Sequence, residues 1–99
     1  MSRQVEHVVF FKFDENALDM EKVDEILSRA RKEIDGLLEL NFGQTFTTDR
    51  AQGYTHALRA RFVNKEALEK YGPHPVHQEY VAYARPLAKA PLVCLDWEV

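Results

Sequence analysis

Four histidines and a tyrosine are the residues of this 99-residue chain whose types and spacing could do chemistry. His74 and His77 flank the start of a predicted helix that Pro75 opens, and Tyr71 comes shortly before them. The positive end of a helix dipole disfavours an imidazolium in the first turn, so we expect His77 to be neutral near pH 7. A neutral imidazole can act as a general base, and the Tyr71 hydroxyl could stabilise an oxyanion.

The other histidines are expected to help form a pocket around this pair. His7 and His56 fall on the first and third predicted strands, among alternating apolar residues that should face the helices. We therefore predict His77 and Tyr71 as catalytic residues and His7, His56 and His74 as ligand-binding residues. A structural interpretation stays open for each of them, because a buried histidine is more often a paired core residue. His74 could simply cap its helix, and Tyr71 could be a core aromatic.

Signals for metals and cofactors are weak. His74 and His77 have a spacing that metal ligands can use, but Pro75 and the lack of a cysteine pair argue against it, so we predict no metal site. No glycine-rich phosphate loop or nucleophile elbow occurs, and no cofactor is predicted. Cys94 is the only cysteine; it lies in an apolar run and is expected to be a buried thiol.

Hydrophobic periodicity supplies the elements that must position these residues. It predicts strands over 5–13, 38–46, 54–62 and 92–98, with Asp19, Asn64 and His74 as helix N-caps. The helix after Asp19 carries one apolar stripe: Val23, Ile26, Leu27, Ala30 and Ile34. The order predicts an α+β fold, a ferredoxin-like βαββαβ protomer with a four-stranded antiparallel sheet and its helices on one face. We expect residues 1–99 to form a single domain.

The opposite face of that sheet should be too apolar to remain in water. It would carry Val8, Phe10 and Ala57 beside Arg59 and Arg61. A second copy could cover it, which predicts a homodimer through the open sheet face. We expect the two arginines to pair with carboxylates across the dimer seam.

Composition excludes several classes of partner. The formal net charge is −3 and the basic residues are scattered, so nucleic acid is not an expected partner. No apolar run approaches the length of a membrane span, and the charged first residues do not resemble a signal peptide. We therefore expect no membrane partner and a cytoplasmic location.

Four segments resemble one known family, the stress-responsive A/B-barrel (Dabb) proteins. Residues 6–13 are similar to the opening strand of that family, 52–57 to its third strand, 71–77 to its His-Pro-x-His segment, and 95–98 to its closing strand. The resemblance implies a ferredoxin-like protomer and a dimeric α+β barrel, in agreement with the pattern of elements.

The same resemblance implies candidate roles for particular residues. The family includes plant stress proteins and a plant polyketide cyclase that closes a linear polyketide by aldol chemistry. By similarity, His77 would be its general base, Tyr71 the assisting tyrosine, and His7 and His56 pocket residues. Two departures weaken the transfer: residues 26–29 lack the cyclase's pocket tyrosine, and the chain between the first helix and Phe42 is shorter.

Three hypotheses about function follow. The first is a stress-response or ligand-binding protein with a pocket for a small hydrophobic or aromatic ligand. The second is a polyketide-cyclase-like enzyme that uses His77 and Tyr71. The third, by fold analogy alone, is a cofactor-free monooxygenase-like dimer. We rank the first slightly above the second and both well above the third.

Overall fold

A four-stranded antiparallel sheet with helices packed on one face forms the protein, as a computed structural model shows for residues 2–14 and 16–99. The strands are β1 Val5–Phe11, β2 Leu37–Gln44, β3 His56–Phe62 and β4 Val93–Glu98, in the sheet order β2-β3-β1-β4. The helices are α1 Met20–Glu33, α2 Lys65–Tyr71 and α3 Pro75–Ala84, and a short 3₁₀ turn, Arg85–Leu87, follows α3. The predicted ferredoxin-like α+β protomer is confirmed.

Local capping explains where the helices begin. The side chain of Asp19 accepts hydrogen bonds from the backbone N–H groups at the start of α1, which satisfies donors that have no partner within the helix. Asn64 does the same for α2. The Nδ1 of His74 accepts from the N–H of Val76, with Pro75 as the first residue of α3. All three predicted caps are confirmed.

The core lies between the helices and one face of the sheet. The predicted apolar stripe of α1 is buried in full. On β3, His56, Leu58, Ala60 and Phe62 alternate inward as predicted, and β1 contributes the facing side chains of the same layer. Within this layer His7 of β1 is paired in register with Ala60, so both strand histidines lie on the helix-covered face.

Some predictions for the strands are wrong, and irregular backbone explains them. Leu38 is 47% exposed because a register shift between Leu37 and Glu39 interrupts the alternation of β2. Phe46, the last residue of the second predicted strand, is 98% exposed and lies beyond the end of β2. Tyr54, the first residue of the third predicted strand, instead precedes β3 and packs against Phe10 on the open face.

The prediction for Cys94 is also wrong. It was expected to be a buried thiol, but it is exposed. The reason is its position on β4, which is an edge strand with a neighbour on one side only. An edge strand whose outer side lacks a neighbour leaves even its inward-facing residues partly accessible to solvent.

The open face of the sheet combines an ionic cluster with apolar side chains. Glu6 is only 4% exposed because Arg59 and Arg61 both donate hydrogen bonds to its carboxylate. The expectation that these arginines pair across a dimer seam is therefore wrong: their acidic partners lie in the same chain. Leu95 and Trp97 of β4 remain exposed on this face.

The length and composition of the helices show whether any of them could cross a membrane. Within 2–14 and 16–99, none of the helices combines the length and the apolar character that crossing a bilayer requires.

Candidate functional site

A cavity of about 670 Å³ lies between the inner face of the sheet and α3. Its walls are mostly apolar, and residues of the segment 85–92, which follows α3, line one side. Three polar side chains from separate elements meet in this lining: His7 from β1, Tyr71 from the end of α2 and His77 from α3. A largely apolar cavity of this size with a few convergent polar groups is typical of small-molecule sites.

His77 is held in one orientation by the turn that precedes its helix. Its Nδ1 lies 2.8 Å from the carbonyl oxygen of Gly72. A carbonyl only accepts, so Nδ1 carries the hydrogen and Nε2 is left as the basic nitrogen. Burial is the main cause that lowers the pKa of His77, so the ring is neutral near pH 7. The sequence argument reached the same protonation state from the helix dipole.

Tyr71 lies directly beside this imidazole. The two ring centroids are 4.1 Å apart, and the ring of His7 is 5.8 Å from Tyr71 on another side. The tyrosine is buried, and this burial raises the pKa of its phenol. The hydroxyl therefore stays protonated and can donate a hydrogen bond, while the neighbouring Nε2 of His77 can accept one.

His7 has an acidic partner that sequence reasoning missed. Its Nδ1 lies 2.5 Å from Oδ1 of Asp96, the residue opposite it in the β1–β4 register. The carboxylate anchors the ring through Nδ1, as Gly72 anchors His77, and leaves Nε2 for other contacts. Aligning the first and last predicted strands as an antiparallel pair would have placed Asp96 opposite His7.

Tyr80 is a second residue that sequence reasoning did not assign to the site. It lines the cavity, and in the described part of the chain its buried hydroxyl has no hydrogen-bond partner. An unsatisfied buried hydroxyl costs about 1–3 kcal/mol. A polar ligand atom or an ordered water would remove that cost. The available signal was helical spacing, since Tyr80 follows His77 by three residues and so lies on the same side of α3.

The remaining two predicted ligand-binding residues lie elsewhere. His56 stacks on Phe42, hydrogen-bonds Thr55 through Nδ1, and lines a separate cavity of about 600 Å³ with Tyr54. His74 caps α3 and does not line the larger cavity. The structure thus brings His7, Tyr71 and His77 together but not His56 or His74. Whether any of the five binds a ligand stays a prediction.

Comparison with known proteins identifies similar sequences along almost the whole chain. The family profile described as Stress responsive A/B Barrel Domain matches residues 5–99. The stress-response A/B barrel domain-containing protein DABB1 of Arabidopsis thaliana is 31% identical over 101 residues, which cover 98% of this chain. They cover 48% of DABB1, so the chain spans about half the length of this relative.

Solved structures share the fold. A dimeric ferredoxin-like protein of unknown function from Jannaschia sp. CCS1 superposes with a TM-score of 0.84 at 24% identity, covering 97% of this chain and 99% of that one. The hydroxynitrile lyase of Passiflora edulis superposes with a TM-score of 0.78 at 21% identity, covering 100% of this chain and 95% of that one. At these identities the likeness concerns the fold alone.

Proposed function

The chain belongs to the stress-responsive A/B barrel domain family, and from this membership we propose that it is a homodimeric protein that binds a small hydrophobic or aromatic ligand. The observation that carries the proposal is the largely apolar cavity of about 670 Å³ in which His7, Tyr71 and His77 meet. The family supports a role in stress response for the same protein.

The lining indicates what such a ligand must offer. Tyr71 can donate a hydrogen bond, Nε2 of His77 can accept one, and the hydroxyl of Tyr80 is unpaired within the described residues. The ligand therefore needs a hydroxyl or carbonyl at the end that meets these groups. Its remainder must be apolar, because Val9, Leu58 and similar side chains form most of the wall.

The open sheet face supports the homodimer. Val8 and Phe10 of β1 lie beside Val93 and Leu95 of β4 in the sheet register, and this patch is on the face opposite the one that the described helices cover. Exposed apolar patches of this kind are characteristic of interfaces. The similar protein from Jannaschia sp. CCS1 is described as dimeric.

A ligand screen by thermal shift tests the binding site. We expect compounds that join an aromatic or acyl body to a hydroxyl or carbonyl to raise the unfolding temperature. At ligand concentrations of 100 to 1,000 times the Kd, binding should add about 2.7–4.1 kcal/mol to the free energy of unfolding. Tyr71→Phe and His77→Gln should each weaken this stabilisation, because each removes one hydrogen-bonding group from the cavity.

His74→Asn is the matched control for this experiment. Asparagine is also a good N-cap, and position 74 lies outside the cavity lining, so ligand stabilisation should persist in this variant. Stabilisation that survives in both Tyr71→Phe and His77→Gln, or no stabilisation by any compound in a folded protein, would contradict the proposal.

A second candidate function is catalysis of the polyketide-cyclase type. The specific observation in its favour is a neutral imidazole with Nε2 available beside a protonated phenol. His77 would remove a proton alpha to a carbonyl, and Tyr71 would donate a hydrogen bond to the carbonyl that is attacked. Analysis of each stabilising compound after incubation with the protein distinguishes the two, because an enzyme would convert a polyketide-like compound to product, whereas a binding protein would return it unchanged.

A further inference from the structure

Three potential metal ligands from β1 and β4 converge beside the cavity. The donor atoms of His7, Cys94 and Asp96 all lie within 4.8 Å of one another. The Cys94 Sγ is 3.6 Å from the His7 Nδ1 and 3.9 Å from an Asp96 carboxylate oxygen. Cys94 and Asp96 are two residues apart on β4, so both project from the same face as His7.

This arrangement does not suit a cysteine nucleophile. In a Cys–His–Asp relay the thiol and the carboxylate contact opposite nitrogens of the imidazole, so that a proton can pass through the ring. Here both groups approach the same nitrogen, Nδ1 of His7. Sulfur, nitrogen and oxygen atoms that converge on one point suit a single bound cation instead.

We propose that His7, Cys94 and Asp96 bind a zinc ion. Thiolate, imidazole and carboxylate are the ligands that zinc uses in proteins, and the thiolate disfavours magnesium and calcium. Ligands about 2.3 Å (sulfur) and 2.1 Å (nitrogen) from a tetrahedral zinc lie about 3.6 Å apart. That is the separation of the Cys94 Sγ and the His7 Nδ1.

Zinc would take the lone pair of the His7 Nδ1, so binding releases the hydrogen on Nδ1 and the thiol hydrogen, leaves the ring hydrogen on Nε2, and replaces the hydrogen bond to Asp96. The carboxylate must also move slightly to complete the site. The Asp96 Oδ1 is 2.5 Å from the His7 Nδ1, whereas two such ligands of a tetrahedral zinc lie about 3.4 Å apart. A rotation of the Asp96 side chain that moves its Oδ1 about 1 Å away from the His7 Nδ1 is sufficient for this geometry. The side chain of Asp96 is 44% exposed on the edge strand, so it has room for that rotation.

Three protein ligands leave a fourth position for water or another small molecule. His7 and Cys94 both line the cavity, so this position is accessible from it. An open fourth position is what distinguishes catalytic from structural zinc sites. The inference does not depend on the proposed organic ligand, because the three side chains would bind the metal alone.

Titration of the reduced, tag-free protein with Co²⁺ tests the site directly. Cobalt adopts the same geometry as zinc and reports its ligands by absorption. We expect a near-ultraviolet thiolate-to-cobalt band and visible bands of tetrahedral intensity that saturate at one ion per chain and disappear when Zn²⁺ is added. Cys94→Ser should abolish the thiolate band, and both Cys94→Ser and Asp96→Asn should weaken zinc binding by at least about 10-fold.

Glu98→Gln is the matched control. Glu98 lies on the same strand, and its change to an amide removes the same charge as Asp96→Asn, but it pairs with Lys65 away from the cluster. Zinc affinity should be unchanged in this variant. Absence of the thiolate band in the wild-type protein would overturn the proposal, as would equal zinc affinities for Cys94→Ser, Asp96→Asn and Glu98→Gln.

Discussion

His7 and His77 are oriented in the same way although they come from a strand and a helix. Each ring is held through Nδ1, by the carboxylate of Asp96 in one case and the carbonyl of Gly72 in the other. Anchoring at Nδ1 determines the tautomer and limits rotation of the ring, so that Nε2 is presented in one direction. A ligand that contacts both rings would therefore meet groups whose geometry is set before it binds.

Buried histidines also make stability depend on pH. Burial lowers the pKa of His56 and of His77, so in the unfolded chain both bind protons at a higher pH than in the folded protein. The free energy of unfolding should thus be highest above about pH 7 and should fall as the pH decreases through about 6.5. Urea denaturation at about pH 7.5 and 5.5 measures the difference.

His56→Gln isolates one of these contributions. Glutamine does not titrate, so the loss of stability between the two pH values should be smaller in the variant than in the wild-type protein. An equal or larger loss in His56→Gln would show that burial of this ring does not contribute to the pH dependence.

At the scale of elements, Gly36 controls how α1, β2 and α2 fit together. It lies in the turn after α1 with φ of +81°, a conformation that residues with a Cβ rarely adopt. A Cβ at this position would lie 2.6 Å from the Cβ of Ala67 on α2. The turn therefore needs glycine for its backbone and also for the close approach of α2.

Gly36→Ala should reduce the free energy of unfolding. The left-handed backbone alone costs about 1–2 kcal/mol for an L-residue, and the contact with Ala67 adds to that cost. Gly43→Ala is the control, because a Cβ there meets no atom within 4 Å, and alanine in a strand is favoured by about 0.5–1 kcal/mol. Urea denaturation of both variants checks the prediction, which fails if the two changes have similar effects.

At the scale of the whole molecule, the open sheet face has two distinct parts. The ion pairs of Glu6 with Arg59 and Arg61 are completed within one chain, so a partner need not supply charges to them. The apolar part lies along β1 and β4, where Leu95 is 55% exposed beside Val8. The proposed dimer would cover this apolar part, while the internal ion pairs keep the rest of the face compatible with burial.

Leu95→Glu should disrupt that dimer. A carboxylate without a partner inside an apolar interface costs several kcal/mol, so dimerisation should weaken by at least about 100-fold. Sedimentation velocity should give the mass of two chains for the wild-type protein and of one chain for the variant. Met20→Glu, also exposed but on α1, should remain dimeric. A dimer that persists in Leu95→Glu would place the interface elsewhere.

The sequence by itself determined the order of elements, the three helix caps, the apolar stripe of α1 and the inward face of β3. These features depend on residues close together in the chain, where hydrogen-bonding groups and helical or strand periodicity act directly. The same local logic placed Tyr71 and His77 on either side of one turn. It also placed His7 and His56 on one face of the sheet.

The tertiary structure decided which of these residues share a cavity. His56 pairs with Phe11, four residues along β1 from His7, so the two histidines are offset by about 13 Å along the strand direction although they share a face. Conversely, the register of β1 with β4 brings Asp96 and Cys94 to His7 from almost ninety residues away. The register of two paired strands is set by hydrogen bonds between residues that are distant in the sequence. Local periodicity therefore predicts which face of the sheet a residue lies on, but not which residues lie beside it on the adjacent strand.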